Sequence, residues 1–186
     1  MKSLGLSFFS LLLLCGPGPA GAQEEMSAFI GEKITYSIKK VGIKAGEAVV
    51  SYEGPASKNN KEYVLILFKA DGMNFMDSEK IYADPKTFLP KIVERDLNIF
   101  GNKEQITEYY EPESDRIRIV KTKDGKTTEQ IIEKKGDVDN IYCFIYRYRR
   151  GGPLNVGQEI AINLPTTDLK IKVMKNENLS AAGEKI

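Results

Sequence analysis

Apolar and polar residues alternate one for one along most of this chain, in short runs separated by turn residues. That period commits it to β structure rather than to helices. Ile34, Tyr36 and Ile38 interleave with Lys33, Thr35 and Lys39, the two-residue period of a half-buried strand. Gly42-Ile43-Lys44-Ala45-Gly46 turns the chain into a second strand over 47–53, which Gly54-Pro55 and Asn59-Asn60 break. A third follows over 62–69, where the unbroken apolar run Tyr63 to Phe68 predicts a strand covered on both faces. Residues 71–76 read as one helical turn or an irregular crossover. Further strands are predicted at 79–83, 91–99, 104–110, 116–121 and 129–133. Turn chemistry separates them at Asp84-Pro85, Gly101-Asn102, Glu111-Pro112 and Asp124-Gly125, the last a good two-residue hairpin turn. Short strands separated this way form an antiparallel meander.

One segment breaks the rhythm. Asp139 is placed to cap a helix over 140–149, with Ile141, Phe144, Ile145 and Tyr148 on one stripe. Arg147, Arg149 and Arg150 suit the negative end of its dipole, and Gly151-Gly152-Pro153 ends it. Two more strands are expected at 158–164 and 169–174. The predicted fold is mainly β: a curved antiparallel sheet, barrel-like or half-barrel, with one helix near residues 139–149. Residues 23–186 form a single β-rich domain. One ten-residue helix, about 15 Å long, is too small to hide the apolar face of so wide a sheet. Either the sheet curls on itself, or the remaining groove receives an apolar ligand or a partner. Met73, Phe75, Met76, Phe144 and Tyr148 are the candidates for lining or covering that face. Met side chains adapt to ligands and also fill cores.

Residues 1–22 read as a signal peptide. Lys2 supplies the positive start, Leu4 to Leu14 an apolar run too short to span a bilayer, and Ala20-Gly21-Ala22 the cleavage site. Cleavage is expected after Ala22, and no second long apolar run follows, so the mature chain is expected to be exported without a transmembrane span. A lipoprotein reading anchored at Cys15 is the alternative, but Leu14 is not the small residue such processing takes. Of 27 basic residues the signal removes one, leaving 26 against 26 acidic ones. A mature net charge near zero, with no basic stripe, argues against nucleic acid and against electrostatic docking to anionic lipid heads.

The chain has no histidine. Ser-His-Asp and Cys-His pairs, His-ligated zinc and His proton shuttles are therefore all excluded. A Ser with a Lys base would be needed instead, yet Ser51, Ser57, Ser78 and Ser114 all sit in strand or turn contexts that explain them. Glu108, Glu111, Glu113 and Asp115 cluster as paired carboxylates would for glycan hydrolysis, although they also flank a proline turn as solvated loop residues do. Asp137, Asp139 and Asn140 lack the ligand ladder of a calcium loop. The clusters Tyr109-Tyr110 and Tyr142, Tyr146, Tyr148 read as core and strand-pairing rings. Cys143, the single cysteine of the mature chain, reads as buried and inert. Asn178-Leu179-Ser180 matches a glycosylation triplet of the kind common by chance. No cofactor, metal ligand set or catalytic residue is assigned.

The segment 31–54, GEKITYSIKKVGIKAGEAVVSYEG, resembles the opening of the bacterial exported proteins called domain of unknown function 3108: a Gly-Glu, an alternating strand, a Gly turn, then Ala45-Gly46-Glu47-Ala48. Residues 82–95, YADPKTFLPKIVER, are similar to that family's strand–Asp–x–x–Thr–Leu–x–Pro stretch, with Phe88 at the Leu place. A third likeness runs from Asp139 to Gly157, including Tyr146, Gly152-Pro153-Leu154 and Gly157. The resemblance implies a mainly antiparallel β domain in the periplasm of a Gram-negative-type envelope, with no established activity. Members continue past the equivalent of Glu177 with further strands, whereas 178–186 stops as one should begin, which reads as a shortened member or a fragment. The expected function is non-enzymatic binding of an apolar ligand, such as a lipid, or of an envelope protein partner. The alternatives are a carboxylate-based glycan hydrolase of the envelope, or a scaffold subunit that adds strands at its edge. Lys39-Lys40 and Lys121 to Lys123 are expected to guard the edges.

Overall fold

The computed structural model describes residues 29–40, 43–151, 154–176, 180–181 and 184–185. The proposed signal peptide with Cys15 and its cleavage site, Gly42, Gly152-Pro153 and Asn178-Leu179 lie outside the described residues. Eight strands follow one another in sequence order in one antiparallel sheet: β1 (Lys33–Lys40), β2 (Ile43–Lys58), β3 (Lys61–Gly72), β4 (Phe75–Ala83), β5 (Pro90–Ile99), β6 (Asn102–Glu111), β7 (Arg116–Lys123) and β8 (Lys126–Glu133). The sheet is curved but not closed. The helix α1 (Ile141–Arg150) follows, then a hairpin of β9 (Glu159–Asn163) and β10 (Asp168–Lys172), and two short strands, β11 (Ser180–Ala181) and β12 (Glu184–Lys185). Among the described residues no helix is long and apolar enough to cross a membrane.

Turn chemistry sets the meander. Asn59-Asn60, Phe100-Gly101 and Asp124-Gly125 all hold positive φ at both positions, the backbone twist that two-residue hairpins favour. Residues 71–76 are neither helical nor irregular. Gly72 pairs with Phe75 across a two-residue turn, with Asn74 at φ +61°, so β3 and β4 run unbroken into it. Nor does Gly54-Pro55 end β2. Between Tyr52 and Gly54 the register slips by one residue, and the strand continues to Lys58. Gly54 takes φ +84° at this bulge, where a Cβ would lie 3.0 Å from the Ile30 side chain, a place only glycine fills without strain.

Register divides each strand between two faces. Ala48, Val50, Tyr52, Val64, Ile66, Ile81, Val93, Tyr110 and Ile117 point to the inner face and are buried. The helix lies on the same side. Tyr142 stacks on Phe68 with ring centres 4.6 Å apart, and Tyr146 meets Tyr52 at 5.1 Å. The stripe read from the sequence does not face the sheet. Phe144, with Ile141, Ile145 and Tyr148, packs on Ile160 and Ile162 of the β9–β10 hairpin, while Cys143 and Tyr146 enter the sheet core. A helix sandwiched in this way is apolar on two sides, which is why its periodicity misleads. Its N-cap is Asn140, whose Oδ1 accepts from the Tyr142 N–H at 2.9 Å. Asp139, expected to cap, is buried and paired with Arg147.

Candidate binding face

The cross-strand register arranges the inner face in rows, and α1 covers only some of them. The row farthest from the helix runs Ile38, Gly46, Gly72, Phe75, Ile99, Asn102. The next runs Tyr36, Ala48, Ala70, Asp77, Leu97, Glu104. At Gly46 and Gly72 the backbones of β2 and β3 approach so closely that an added Cβ would lie 2.4 Å and 2.9 Å from carbonyl oxygens of the other strand. Gly46 and Gly72 thus hold the two strands close and separate Ile38 from Phe75 in the outermost row.

This helix-free end collects exposed apolar side chains. Met73 is 86% exposed and Phe100 75%, each in a hairpin turn. The two turns are tied by the Phe100 N–H donating to the Asn74 carbonyl at 2.8 Å. Tyr36 (47%), Ile38 and Ile99 (39% each) complete the rim. Single exposed apolar residues need no explanation, but several gathered at one end of a sheet do.

Of the five residues nominated from sequence, Met73 and Phe75 come together at this rim. Met76 is half-buried on the outer face, one residue out of phase with Phe75. Phe144 and Tyr148 lie beneath the β9–β10 hairpin, their rings 4.3 Å apart. They line the helix's far side and not the open face.

Behind the rim the inner face turns polar. Asp77, 5% exposed, accepts from Arg95 Nε at 2.7 Å and also from Nη2. Glu79 stands 3.4 Å from the same Nε. Burial pushes the Glu79 pKa up to about 7; Arg95 opposes that rise, and Asp77 and Glu108 add to it. The Tyr110 hydroxyl donates to Glu108 at 2.7 Å, and burial, with Glu108 beside it, raises the phenol's pKa. Glu104 holds Lys121 at 2.5 Å and Lys123 at 2.9 Å, and Lys121 foremost keeps its pKa low. Lys121 and Lys123 therefore occupy an inner strand, paired, and guard no edge. Asp77, Glu79 and Glu108 stand on β4 and β6, along one wall of the sheet. Among the described residues no three Asp, Glu or Cys side chains are arranged to hold a metal ion.

Sequence reading missed Asp77, Glu79, Arg95 and Glu104 as inner-face groups. Counting by twos from Ile81 back to Phe75, and from Val93 to Leu97, places all but Glu104 there. A second feature, a cavity of about 170 Å³, opens at the helix-covered end, with Leu89, Pro90, Ile117 and Val138 among its lining and Lys91 and Arg116 beside them. It is smaller than the roughly 300–1,000 Å³ usual for ligand pockets. Cys143 is fully buried, and burial raises its thiol pKa well above the ordinary value, the environment of an inert thiol. Comparison with protein-family models finds no match for the chain, and comparisons with curated proteins and with solved structures likewise find none.

Proposed function

We propose that this chain is an exported, non-enzymatic protein of the bacterial envelope that holds an apolar ligand at the helix-free end of its inner face. The observation that carries this reading is the set of exposed apolar side chains at that end: Tyr36, Ile38, Met73, Ile99 and Phe100. Export rests on residues 1–22, and the envelope location on the resemblance to domain of unknown function 3108. An acyl chain or similar group would lie across Ile38, Phe75 and Ile99, and its polar end would meet Arg95 and Glu79 behind them. Ligands with one apolar and one polar end fit such a graded surface.

The test is mass spectrometry of the mature protein taken from its own periplasm, first native and then after organic extraction. A stoichiometric apolar molecule, lost in an Ile38→Glu/Phe100→Glu variant whose melting temperature is unchanged, is the expected result. A clean apo mass would overturn the reading. A co-purifying envelope protein released by the same variant would assign the rim to a partner instead.

A further inference from the structure

We propose that Lys121, Lys123 and Lys126, gathered on the inner face at the tip of the β7–β8 hairpin, bind one phosphate group. Its source is the headgroup of an amphiphile or free phosphate. As a headgroup site it rests on the apolar-ligand reading above and names the ligand's class, an acyl chain carrying a phosphate ester. As a free-phosphate site it stands without that reading.

The register brings the lysines together. Lys121 and Lys123 continue the inner-face phase of the buried Ile117 along β7, and Lys123 stands directly opposite Lys126 on β8. Lys121, Lys123, Asp124, Lys126 and Thr128 line an open cavity of about 310 Å³. Thr122 and Thr127, one residue out of phase, bond to each other on the outer face instead. Like charges directly opposite on paired strands are destabilising. The protein's own acids offset them only in part. Glu104 holds Lys121 at 2.5 Å and Lys123 at 2.9 Å, whereas Lys126 makes no ion pair among the described residues. Three ammonium groups thus share two carboxylates, Glu104 and the turn residue Asp124. The next acid toward the helix, Glu108, accepts from the Tyr110 hydroxyl at 2.7 Å, which favours the tip for an anion. A phosphate between Lys123 and Lys126 turns their repulsion into two charge-assisted contacts.

The same rows lead back to the apolar rim. The row that runs from Tyr36 to Glu104 continues to Lys123 and Lys126, and the row of Glu79 and Arg95 continues through Ile106 to Lys121 and Thr128. Neighbouring strands lie about 4.8 Å apart, so Arg95 and Lys121 are about 10 Å apart along that row. A polar end that begins beside Arg95 therefore reaches the lysines through a short polyol linkage. Arg95 gives its Nε and Nη2 to Asp77 and leaves the phosphate to the lysines. A near-neutral chain argues against docking to a charged membrane surface, but it leaves room for one anion where the register gathers three lysines.

The test is calorimetric titration of the intact protein at low salt with three probes: inorganic phosphate, a decanoyl lysophosphatidate, and the same molecule without its phosphate. The lysophosphatidate is expected to bind about tenfold or more tightly than its dephosphorylated counterpart. Lys126→Glu sets an acid opposite Lys123, so the hairpin keeps its stability. It should nonetheless weaken both phosphate-bearing probes about tenfold and leave the dephosphorylated one unchanged. Lysophosphatidate binding tighter than inorganic phosphate assigns the site to a headgroup. Equal binding of those two assigns it to free phosphate and counts against the apolar ligand. Dephosphorylated amphiphile bound as tightly as lysophosphatidate would overturn this proposal and leave the apolar-ligand reading standing. Phosphate binding that ignores Lys126→Glu overturns it too, and silence from all three probes removes both. Lys126→Gln, which brings in no new charge, decides the matter should the reversal alter the hairpin.

Discussion

Arg95 on β5 gives its two-pronged hydrogen bond to Asp77, its diagonal neighbour on β4, although the register sets Glu79 directly opposite it. Asp77 is nearly sealed from water, and that guanidinium supplies its side-chain hydrogen bonds. Arg95→Leu would leave two acids buried without a cation and is expected to cost about 3–5 kcal/mol. Replacing both Asp77 and Arg95 with leucine should cost less than Arg95→Leu alone, because no orphan charge remains on Asp77. Urea unfolding of the single and double variants measures the difference.

Glu79 is expected to make stability depend on pH in the direction opposite to an ordinary salt-bridged carboxylate. Its folded pKa of about 7 lies above the ordinary 4.5. The folded state therefore holds a proton that the unfolded state releases, and stability falls as pH rises from about 4.5 to about 7. The full loss is on the order of 3 kcal/mol. Glu79→Gln should match wild type near pH 4 and be the more stable protein at pH 8, as followed by thermal melts at both. Equal melting temperatures at pH 8 would show that the carboxylate is not desolvated.

The period-two pattern makes the sheet legible in the sequence. Ile34, Tyr36 and Ile38 share one face of a strand as the alternation predicts, although Tyr36 and Ile38 are exposed rather than covered, and Asp124-Gly125 is the expected hairpin turn. The failures have physical causes. Asp71 to Met76 looked irregular because the acids Asp77 and Glu79 interrupt the apolar count on an inner face that tolerates them only through Arg95, a residue distant in sequence. The helix stripe was correct in membership and wrong in partner. Nothing local announces that β9 and β10 fold back over Phe144 and Tyr148 while Tyr146 enters the sheet. The rim is half legible in the sequence: Met73 and Phe75 carry the signal, whereas Phe100 joins them through a bond between its turn and Asn74, a contact across strands that no local pattern encodes.

Phe88 carries backbone strain for the sake of its ring. It is fully buried, lies 6.2 Å from the Tyr52 ring and has φ +60°, a region that costs an L-residue roughly 1–2 kcal/mol. The loop enforces it. Asp84 Oδ1 accepts from the Lys86 and Thr87 N–H groups at 2.9 Å each, and the Asp84 carbonyl accepts from Phe88. Phe88→Ala is expected to cost about 3–5 kcal/mol. Phe88→Gly loses the same ring but sheds the strain, so it should be the milder substitution, reversing the usual order of alanine and glycine. Equilibrium unfolding of the two variants side by side decides it.

Asn140 and Asp139 stand next to each other at the start of α1 with separate tasks, and their alanine variants should separate in size. Asn140 caps through one hydrogen bond to the Tyr142 N–H, so Asn140→Ala is expected to cost about 1 kcal/mol. Asp139 is 2% exposed. Its carboxylate accepts from the Asn140 N–H and pairs with Arg147 about two turns along the helix, while its own N–H donates to the Asn163 carbonyl of β9 at 2.7 Å. Asp139→Ala keeps the backbone bond to Asn163 but strips the half-buried Arg147 of its partner, so a cost of about 3 kcal/mol is expected. Denaturant unfolding of both variants gives the order directly. If Asn140→Ala proved the costlier of the two, the aspartate would be only a local polar contact, and the cap would be what holds the helix between sheet and hairpin.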